Sequence, residues 1–338
     1  MILYFGTIFS KHGSTISFIV HLAPKLSEFD DVITASIRKN SIIRVIHMVG
    51  VLLLNMRSAR IILIDTYSGW AFYYTLILAI LSRLFSIPYV PILRGGNLPY
   101  RLKKSPYLSK MIFSHSKMNT TPSVYLQARF QKEGYSVDYI PNFIELEKYP
   151  FIARKNCSPK LLWVRAFHKI YNPEMAIKVL AELSKKYSEV ELCMVGPEKD
   201  GSMQSCRRLA DELRVLSKTT FTGLLPKEEW IELSKSYDIF INTTNVESFG
   251  LAVMEASACG LVIVTTNAGE LKSLYKHRKN AMVVNTEEVD GMVDEINEVI
   301  INIELAKLLS INARKNAEQF DWTAVRNSWE EIINKIDA

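Results

Sequence analysis

The chain has 338 residues, a formal net charge of +6, 48% hydrophobic and 22% charged residues, and a mean hydropathy of +0.06. At about 150 residues per domain this length predicts two domains with cores that need no staples, and the composition excludes a disordered chain. The four cysteines, Cys157, Cys193, Cys206 and Cys259, include no Cys-x-x-Cys pair, which excludes a disulfide framework and a cysteine-based zinc site and fits a reducing compartment.

Met1 to Phe9 is apolar, lacks a basic region and is too short for a signal peptide. In chain order, short apolar runs predict strands at Ile2–Phe5, Val32–Ala35, Ile61–Ile64, Tyr89–Leu93, Met118–Thr120 and Val137–Ile140. Helical periods fall at Ile16–Leu26, Ile42–Asn55, Trp70–Phe85 and Ser123–Glu133. The greasiest run, Trp70 to Ile80, is about half the roughly 20 residues that a bilayer core needs. It suits a buried helix on a sheet, with a helix dipping into one leaflet as the second reading. Beyond residue 150 the predicted strands are Leu161–Val164, Glu191–Val195, Thr220–Thr222, Ile239–Ile241 and Leu261–Val264. The helices there are Glu174–Lys186, Met203–Leu213, Lys227–Ser234, Leu251–Ala258 and one long Val289–Glu318.

Strands alternating with helices of this length make parallel βαβ units. The expected fold class is therefore α/β, with two doubly wound, Rossmann-like sheets. Pro141, Pro150 and Pro159 bracket an irregular polar stretch, which places the boundary between residues 1–150 and 151–320. The last stretch, Asp321 to Ala338, is amphipathic: Trp322, Val325, Trp329, Ile332, Ile333 and Ile336 fall at helical spacing. It either caps its own domain or crosses back onto the first. Charge is split unevenly, with 17 Lys+Arg against 8 Asp+Glu in residues 1–150 and 24 against 27 in residues 151–338. The basic half suggests an anionic partner: a nucleic acid, a phosphorylated ligand or an anionic membrane.

The chemistry concentrates between Tyr237 and Asn267. A buried strand ends near Ile241, a polar loop runs from Asn242 to Glu247, and Ser248 is a good N-cap for a helix from about Phe249 to Ala258. Such a unit opens a helix N-terminus at the carboxyl edge of a sheet, where ligands bind and where unpaired N–H groups favour phosphate. Glu247 and Glu255 lie eight residues apart, about two turns. A carboxylate beside a phosphate repels it, so Glu247 suits a sugar hydroxyl and Glu255 a ribose. Plainer readings stay open, as a charge at the helix start and a surface charge. Glu255, however, sits among Val253, Met254, Ala256 and Ala258, an unusual surface setting.

The run from Glu247 through Ser248, Phe249, Gly250 and Leu251 to Glu255 resembles the E-x7-E signature of glycosyltransferase family 4, the retaining, nucleotide-sugar-dependent enzymes of GT-B fold. Leu161-Leu-Trp-Val-Arg165 resembles the family's strand ending in Gly-Arg, Met194-Val-Gly196-Pro its Val-Gly-x-Gly turn, and Phe221-Thr-Gly223 its Phe-x-Gly strand. Val137 to Phe143 resembles the stretch closing the first domain, and Phe320-Asp-Trp322 the start of the returning C-terminal helix. The resemblance covers about residues 86–338. It implies two Rossmann-like domains facing a cleft: 1–150 with the helix 321–338 on the acceptor side, 151–320 on the nucleotide-sugar side.

Carried over, the resemblance puts Glu247 at the donor sugar and Arg165, with Lys169, on the diphosphate leaving group. Backbone at Ser248, Phe249, Gly250 and Leu251 holds the diphosphate, Glu255 the ribose, and Leu224 and Leu225 the base. Gly13 and Gly196 let backbone approach the donor. The sequence departs from the pattern at five places. Val164 replaces the Gly before Arg165, Tyr171-Asn172 replaces Lys-Gly, Arg94 stands where a His is usual, Gly13-Ser14 where a Gly-Gly is usual, and Lys272 where a Glu is expected. Lys169, two residues from Tyr171, is the substitute cation.

The expected reaction is retaining transfer of a hexosyl group from a nucleoside diphosphate sugar, a UDP-sugar first and GDP-mannose next, to a hydroxyl of a lipid-linked or polysaccharide acceptor. The expected cofactor is none. The six histidines lack metal-ligand spacing and no Asp-x-Asp exists, so Arg165, Lys169 and the helix N-terminus carry the leaving charge. Arg94, Gly95, Asn97, Lys103 and Lys104 form the acceptor side, with Arg101, Lys110 and interleaved Leu98, Tyr100, Leu102 and Tyr107 suiting an anionic membrane. The expectation is a cytoplasmic enzyme, peripheral at the inner face of the plasma membrane, in bacterial capsule or O-antigen assembly and with no nucleic-acid partner. Two competing readings are a non-catalytic nucleotide-sugar-binding subunit and a nucleotide-sugar epimerase of the same fold.

Overall fold

A computed structural model of the protein describes residues 1–8, 17–38 and 40–335. The chain divides into two compact units, Met1–Pro141 with Val325–Ala338, and Asn142–Ala324.

The first unit runs β1 (Ile2–Phe5), α1 (Ile19–Leu26), β2 (Val32–Ala35), α2 (Ser41–Asn55), β3 (Ile61–Thr66), α3 (Trp70–Leu84), β4 (Tyr89–Leu93), α4 (Leu98–Lys104), α5 (Pro106–Phe113), β5 (Thr120–Thr121), α6 (Val124–Lys132) and β6 (Asp138–Tyr139). Its strands form one parallel sheet in the order β2-β1-β3-β4-β5-β6. Every residue of β1, β3 and β4 is buried, as a parallel sheet covered on both faces requires. Asn40 caps α2, its side chain accepting from the N–H groups of Ile42 and Ile43 at 2.9 and 3.2 Å. The helix expected over Ile16–Leu26 begins at Ile19, and Ile16 lies outside the described residues. The short helices α4 and α5 were not expected from periodicity, since one or two turns between prolines carry too few repeats to read.

The second unit runs β7 (Lys160–Val164), α7 (Pro173–Ser184), β8 (Glu191–Val195), α8 (Ser202–Glu212), β9 (Thr219–Gly223), α9 (Lys227–Ser234), β10 (Ile239–Asn242), α10 (Leu251–Ala258), β11 (Val262–Thr266), α11 (Leu271–Leu274), β12 (Met282–Val284), α12 (Val289–Ile301) and α13 (Ile303–Glu318). The sheet is parallel, in the order β12-β11-β10-β7-β8-β9. Numbered within the unit this is the Rossmann order, and it reverses between β7 and β10, where the crevice outside the strand ends takes ligands. The long helix expected over Val289–Glu318 is two. Asn302 interrupts it, and its side chain accepts from the Leu305 N–H at 3.1 Å to cap the second. The apolar period runs through the break, which is why the sequence reads as continuous.

A last helix, α14 (Trp322–Asn334), starts in the second unit, where Trp322 packs on Phe143 with ring centroids 4.8 Å apart. From Val325 it belongs to the first: Arg60 donates to the Ile333 carbonyl at 3.3 Å and Arg326 pairs with Glu28 at 3.5 Å. Val325, Trp329, Ile332 and Ile333 are buried, and Ile336 lies outside the described residues.

After β8, Glu198 holds the turn into α8. Its carboxylate accepts from the N–H groups of Lys199, Asp200, Gly201 and Met203 at 2.7, 2.9, 2.8 and 2.8 Å. Burial pushes this carboxyl up, but the backbone donors outweigh it and hold it below the ordinary carboxylate range. A depressed folded pKa contributes stability above the unfolded pKa and loses it as pH falls through the folded one. Glu198→Gln is therefore expected to lower Tm at about pH 7, with the deficit closing below about pH 4. Thermal unfolding of both proteins across that range is the check, and a pH-independent deficit would contradict the assignment.

Candidate active site

β7 and β10 are neighbours in the second sheet, and each delivers one member of a charged pair at its carboxyl end. Arg165 follows β7 directly, its N–H bonded to the Val195 carbonyl at 2.9 Å. The loop after β10 is cross-linked to the turn after β7. Thr243 Oγ1 donates to the Tyr171 carbonyl at 3.0 Å and accepts from Trp163 Nε1 at 3.1 Å, while the Asn245 N–H donates to the Ile170 carbonyl at 2.9 Å. These ties bring Glu247 to Arg165, and the two side chains form an ion pair. Both are largely withdrawn from water, with side-chain exposures of 17% and 5%.

Glu247 is held at both ends. Its Oε2 meets Arg165. Its Oε1 accepts from the backbone N–H groups of Ser248 and Phe249 at 3.0 and 3.3 Å. Its own carbonyl accepts from the Glu270 N–H at 3.2 Å. The expectation of a Ser248 cap on a helix starting near Phe249 is corrected: α10 starts at Leu251, and its N-cap is Gly250 in the left-handed region. The physical reason is that the Glu247 carboxylate, not the Ser248 hydroxyl, takes the first free N–H groups of the turn.

Two glycines make room for the pair. A Cβ on Gly196, at φ +152°, would lie 1.7 Å from the Arg165 carbonyl oxygen, and one on Gly269, at φ +52°, 1.9 Å from the Glu247 carbonyl oxygen. Each member of the pair thus has a glycine behind its backbone, where any side chain would collide with main chain that cannot yield.

Tyr171, in the place of the resembling family's lysine, stacks on Arg165 with the guanidinium carbon 4.5 Å from the ring centroid. Asn172 replaces the glycine beside it and takes the left-handed conformation, φ +48°, which Asn tolerates better than most residues. Lys169 is exposed on a one-turn 3-10 segment. Its backbone N–H donates to Asp200 at 3.0 Å, and its ammonium pairs with no group among the described residues.

Glu255 is buried on α10. Its Oε1 accepts from the Tyr149 hydroxyl at 2.8 Å and from Lys227 Nζ at 2.5 Å. Tyr149 and Lys227 are the partners that sequence reasoning missed. Lys227 did leave a signal: a cation in the first turn of a helix opposes the helix dipole, so it needs a specific anion. Leu224 is exposed and Leu225 half-buried on the loop leading to Lys227. Gly13 lies outside the described residues. Among those described, no group of three or more His, Cys, Asp or Glu side chains is placed to hold a metal ion.

Arg94, Gly95, Asn97, Lys103 and Lys104 belong to the first unit. Lys103 and Lys104 are exposed on α4, as are Asn97 before it and Lys110 on α5, and Gly95 is half-buried. Arg94 does not join this exposed cluster. It is buried at the carboxyl edge of the sheet, paired with Asp65 at 2.5 Å, with the Tyr4 hydroxyl donating to the same Asp65 oxygen at 3.0 Å and Phe18 4.6 Å below the guanidinium. Burial pushes the Asp65 carboxyl up, against the pull of Arg94.

Residues 147–316, just over half of the chain, match the family described as glycosyl transferases group 1, and the chain belongs to it. A D-inositol 3-phosphate glycosyltransferase of Corynebacterium jeikeium is 24% identical over 179 residues, 52% of this chain and 43% of that protein. The chain thus spans about two fifths of the length of the first curated relatives it matches. Among solved structures, sucrose-phosphate synthase from Thermosynechococcus elongatus superposes with a TM-score of 0.82 at 14% identity, covering 99% of this chain and 98% of that one. HepE of Anabaena in complex with UDP-glucose gives 0.80 at 15% identity, covering 99% of each chain. The architecture is the GT-B fold.

Removing one partner of a buried pair strands the other. Arg165→Met is expected to destabilise the second unit by about 3–5 kcal/mol. Adding Glu247→Gln to it should recover most of that loss, because the amide needs no counter-charge. Urea unfolding of the single and double variants measures the difference; equal stabilities would show that the pair is not coupled.

Proposed function

We propose that the chain transfers a hexosyl group, with retention, from a nucleoside diphosphate sugar to a hydroxyl of a lipid-linked or polysaccharide acceptor in bacterial surface-glycan assembly of the capsule or O-antigen kind. The observation that carries this reading is the Glu247 carboxylate resting on Arg165 and on the Ser248 and Phe249 N–H groups. A carboxylate there marks a place built for an anion, at the sheet's ligand-binding crevice.

The donor's diphosphate takes that place. Arg165 and the N–H groups from Ser248 to Leu251 then face its oxygens, and Glu247, released, turns to the sugar hydroxyls. Lys169 closes on the diphosphate from its exposed turn. Glu255, with Oε1 fixed by Tyr149 and Lys227, offers Oε2 to the ribose, and Leu224 and Leu225 flank the base. The sugar–phosphate C–O bond breaks with its electron pair passing to the phosphate. The acceptor oxygen bonds to the same face of the carbon, and its proton passes to the leaving phosphate. Preorganised donors stabilise the charge that develops there. The likeness to HepE, solved with UDP-glucose, favours a UDP-sugar, with GDP-mannose next. Gly95, Asn97, Lys103 and Lys104 serve the acceptor side at the inner face of the plasma membrane, while Arg94 stays buried on Asp65 beneath them.

The test is incubation with UDP- and GDP-sugars and a polyprenyl-diphosphate-linked acceptor, with the anomeric configuration of the product read by NMR. Transfer with retention is expected and should persist in EDTA. Epimerisation of the donor without an acceptor, or tight binding without turnover, would overturn the reading. Arg165→Lys keeps a cation beside Glu247 but loses the planar fork, and is expected to lower kcat/KM on the order of 10²-fold. Glu255→Gln should weaken UDP binding about tenfold by calorimetry, the worth of one charged hydrogen bond.

A further inference from the structure

The first unit carries a surface that the transfer reaction does not use. α2 and α3 line an open cavity of about 230 Å³ at the surface, whose walls include Ile42, Val45, Ile46, Trp70, Tyr73 and Ile77. Its rim is apolar as well: Trp70 is 71% exposed, Ile42 68% and Ile46 66%, and Leu54 and Leu84 extend the exposed apolar surface along the two helices. α3 is apolar outside as well as inside. Phe72, Leu78 and Ala79 are buried beside Thr75 and Ser82, whose hydroxyls donate to the carbonyls of Ala71 and Leu78, while Trp70, Ile77, Ile80 and Leu84 face out. A helix apolar on both faces is normally buried or in lipid, and an exposed apolar patch of this kind marks an interaction surface.

Charge selects the partner. Residues 32–132 contain 14 Lys+Arg and one acidic residue, Asp65, which is buried and paired with Arg94. Arg101 joins this basic segment to the cavity: its guanidinium lies 5.5 Å over the Tyr73 ring and donates to the Ser68 carbonyl at 2.8 and 2.6 Å. On the same short helix Lys103, Lys104 and Tyr100 are exposed. A nucleic acid suits the charge but not outward isoleucine and leucine. A second copy suits the apolar surface but sets like charges against each other across a self-complementary contact. An anionic bilayer suits both, with aromatic side chains at the level of the headgroups and basic ones against the anionic charge.

We infer that the α2–α3 face docks on an anionic lipid bilayer, with Trp70 and the isoleucines entering the interface and the cavity receiving a hydrocarbon chain of a bilayer lipid. This rests on the proposed acceptor being membrane-borne, and it moves the contact from the lysines of α4 alone to the apolar pair of helices beside them. The geometry supplies its own probe. Trp70 is exposed, whereas Trp163, Trp230, Trp322 and Trp329 are buried, so an emission change on docking reports this face.

The experiment uses the full chain and vesicles of phosphatidylcholine with or without phosphatidylglycerol. Expected are co-sedimentation with the phosphatidylglycerol vesicles, a blue shift of emission, and quenching by brominated acyl chains that Trp70→Phe abolishes. Ile42→Ser with Ile46→Ser should lower the partition coefficient at least about tenfold while UDP binding stays at the parent level. Three results would overturn the inference. One is access of an aqueous quencher to Trp70 that is equal in bound and free protein. Another is a serine variant that partitions like the parent, which leaves only charge. The last is a concentration-dependent dimer, lost in the serine variant, with no vesicle binding, which makes the face a contact between copies. Docking without UDP binding would instead remove the donor reading and leave this one standing.

Discussion

Two opposite charges placed where water is scarce dominate the second unit. Arg165 and Glu247 come from strands that are neighbours only because the sheet order reverses between β7 and β10. Neither charge is tolerable there alone. The surrounding loops are consequently fixed on both sides of the pair, by Thr243 and Asn245 on the turn after β7 and by Gly196 and Gly269 behind the two carbonyls. The second carboxylate follows the same rule, with Glu255 held between Tyr149 and Lys227. The fold supplies an edge, and the charges dictate how tightly the loops on that edge must be held.

The first unit applies the rule differently. Its sheet edge also carries a buried polar group, Asp65 with Arg94 and Tyr4, but the pair lies in the interior and leaves the surface basic. The helices over that sheet put some hydroxyls inward and apolar side chains outward. The two units share an architecture and differ in what they present to solvent.

Much of the fold was legible because parallel strands buried on both faces read as continuous apolar runs, as in Ile61–Ile64 and Leu261–Val264, which lie in or at the start of β3 and β11. The strand order was not, since no local signal tells β7 that β10, and not β9, will lie on its other side. The site was legible where spacing carries it, at Glu247 and Glu255. It was illegible where partners come from distant segments: Tyr149 is 106 residues from Glu255, and the glycine behind Glu247 is recognisable only once a Cβ is placed on it. Asn302 broke a helix whose apolar period continues on both sides, because one capping side chain outweighs a period only in three dimensions. Arg94 looked like part of a surface cluster because its neighbours in sequence are basic, while its neighbour in space is Asp65.

The folded-back Glu247 carboxylate has a consequence for selectivity among anions. A group tethered one and two residues from the N–H groups it occupies competes at an effective concentration that free phosphate or chloride in solution does not reach. Small anions therefore meet a resident rival they cannot outnumber. Only a ligand that gains additional contacts elsewhere can displace it. On the proposed donor reading the acid side chain acts as a threshold: it balances the Arg165 charge and yields to an anion only when the rest of the molecule comes with it.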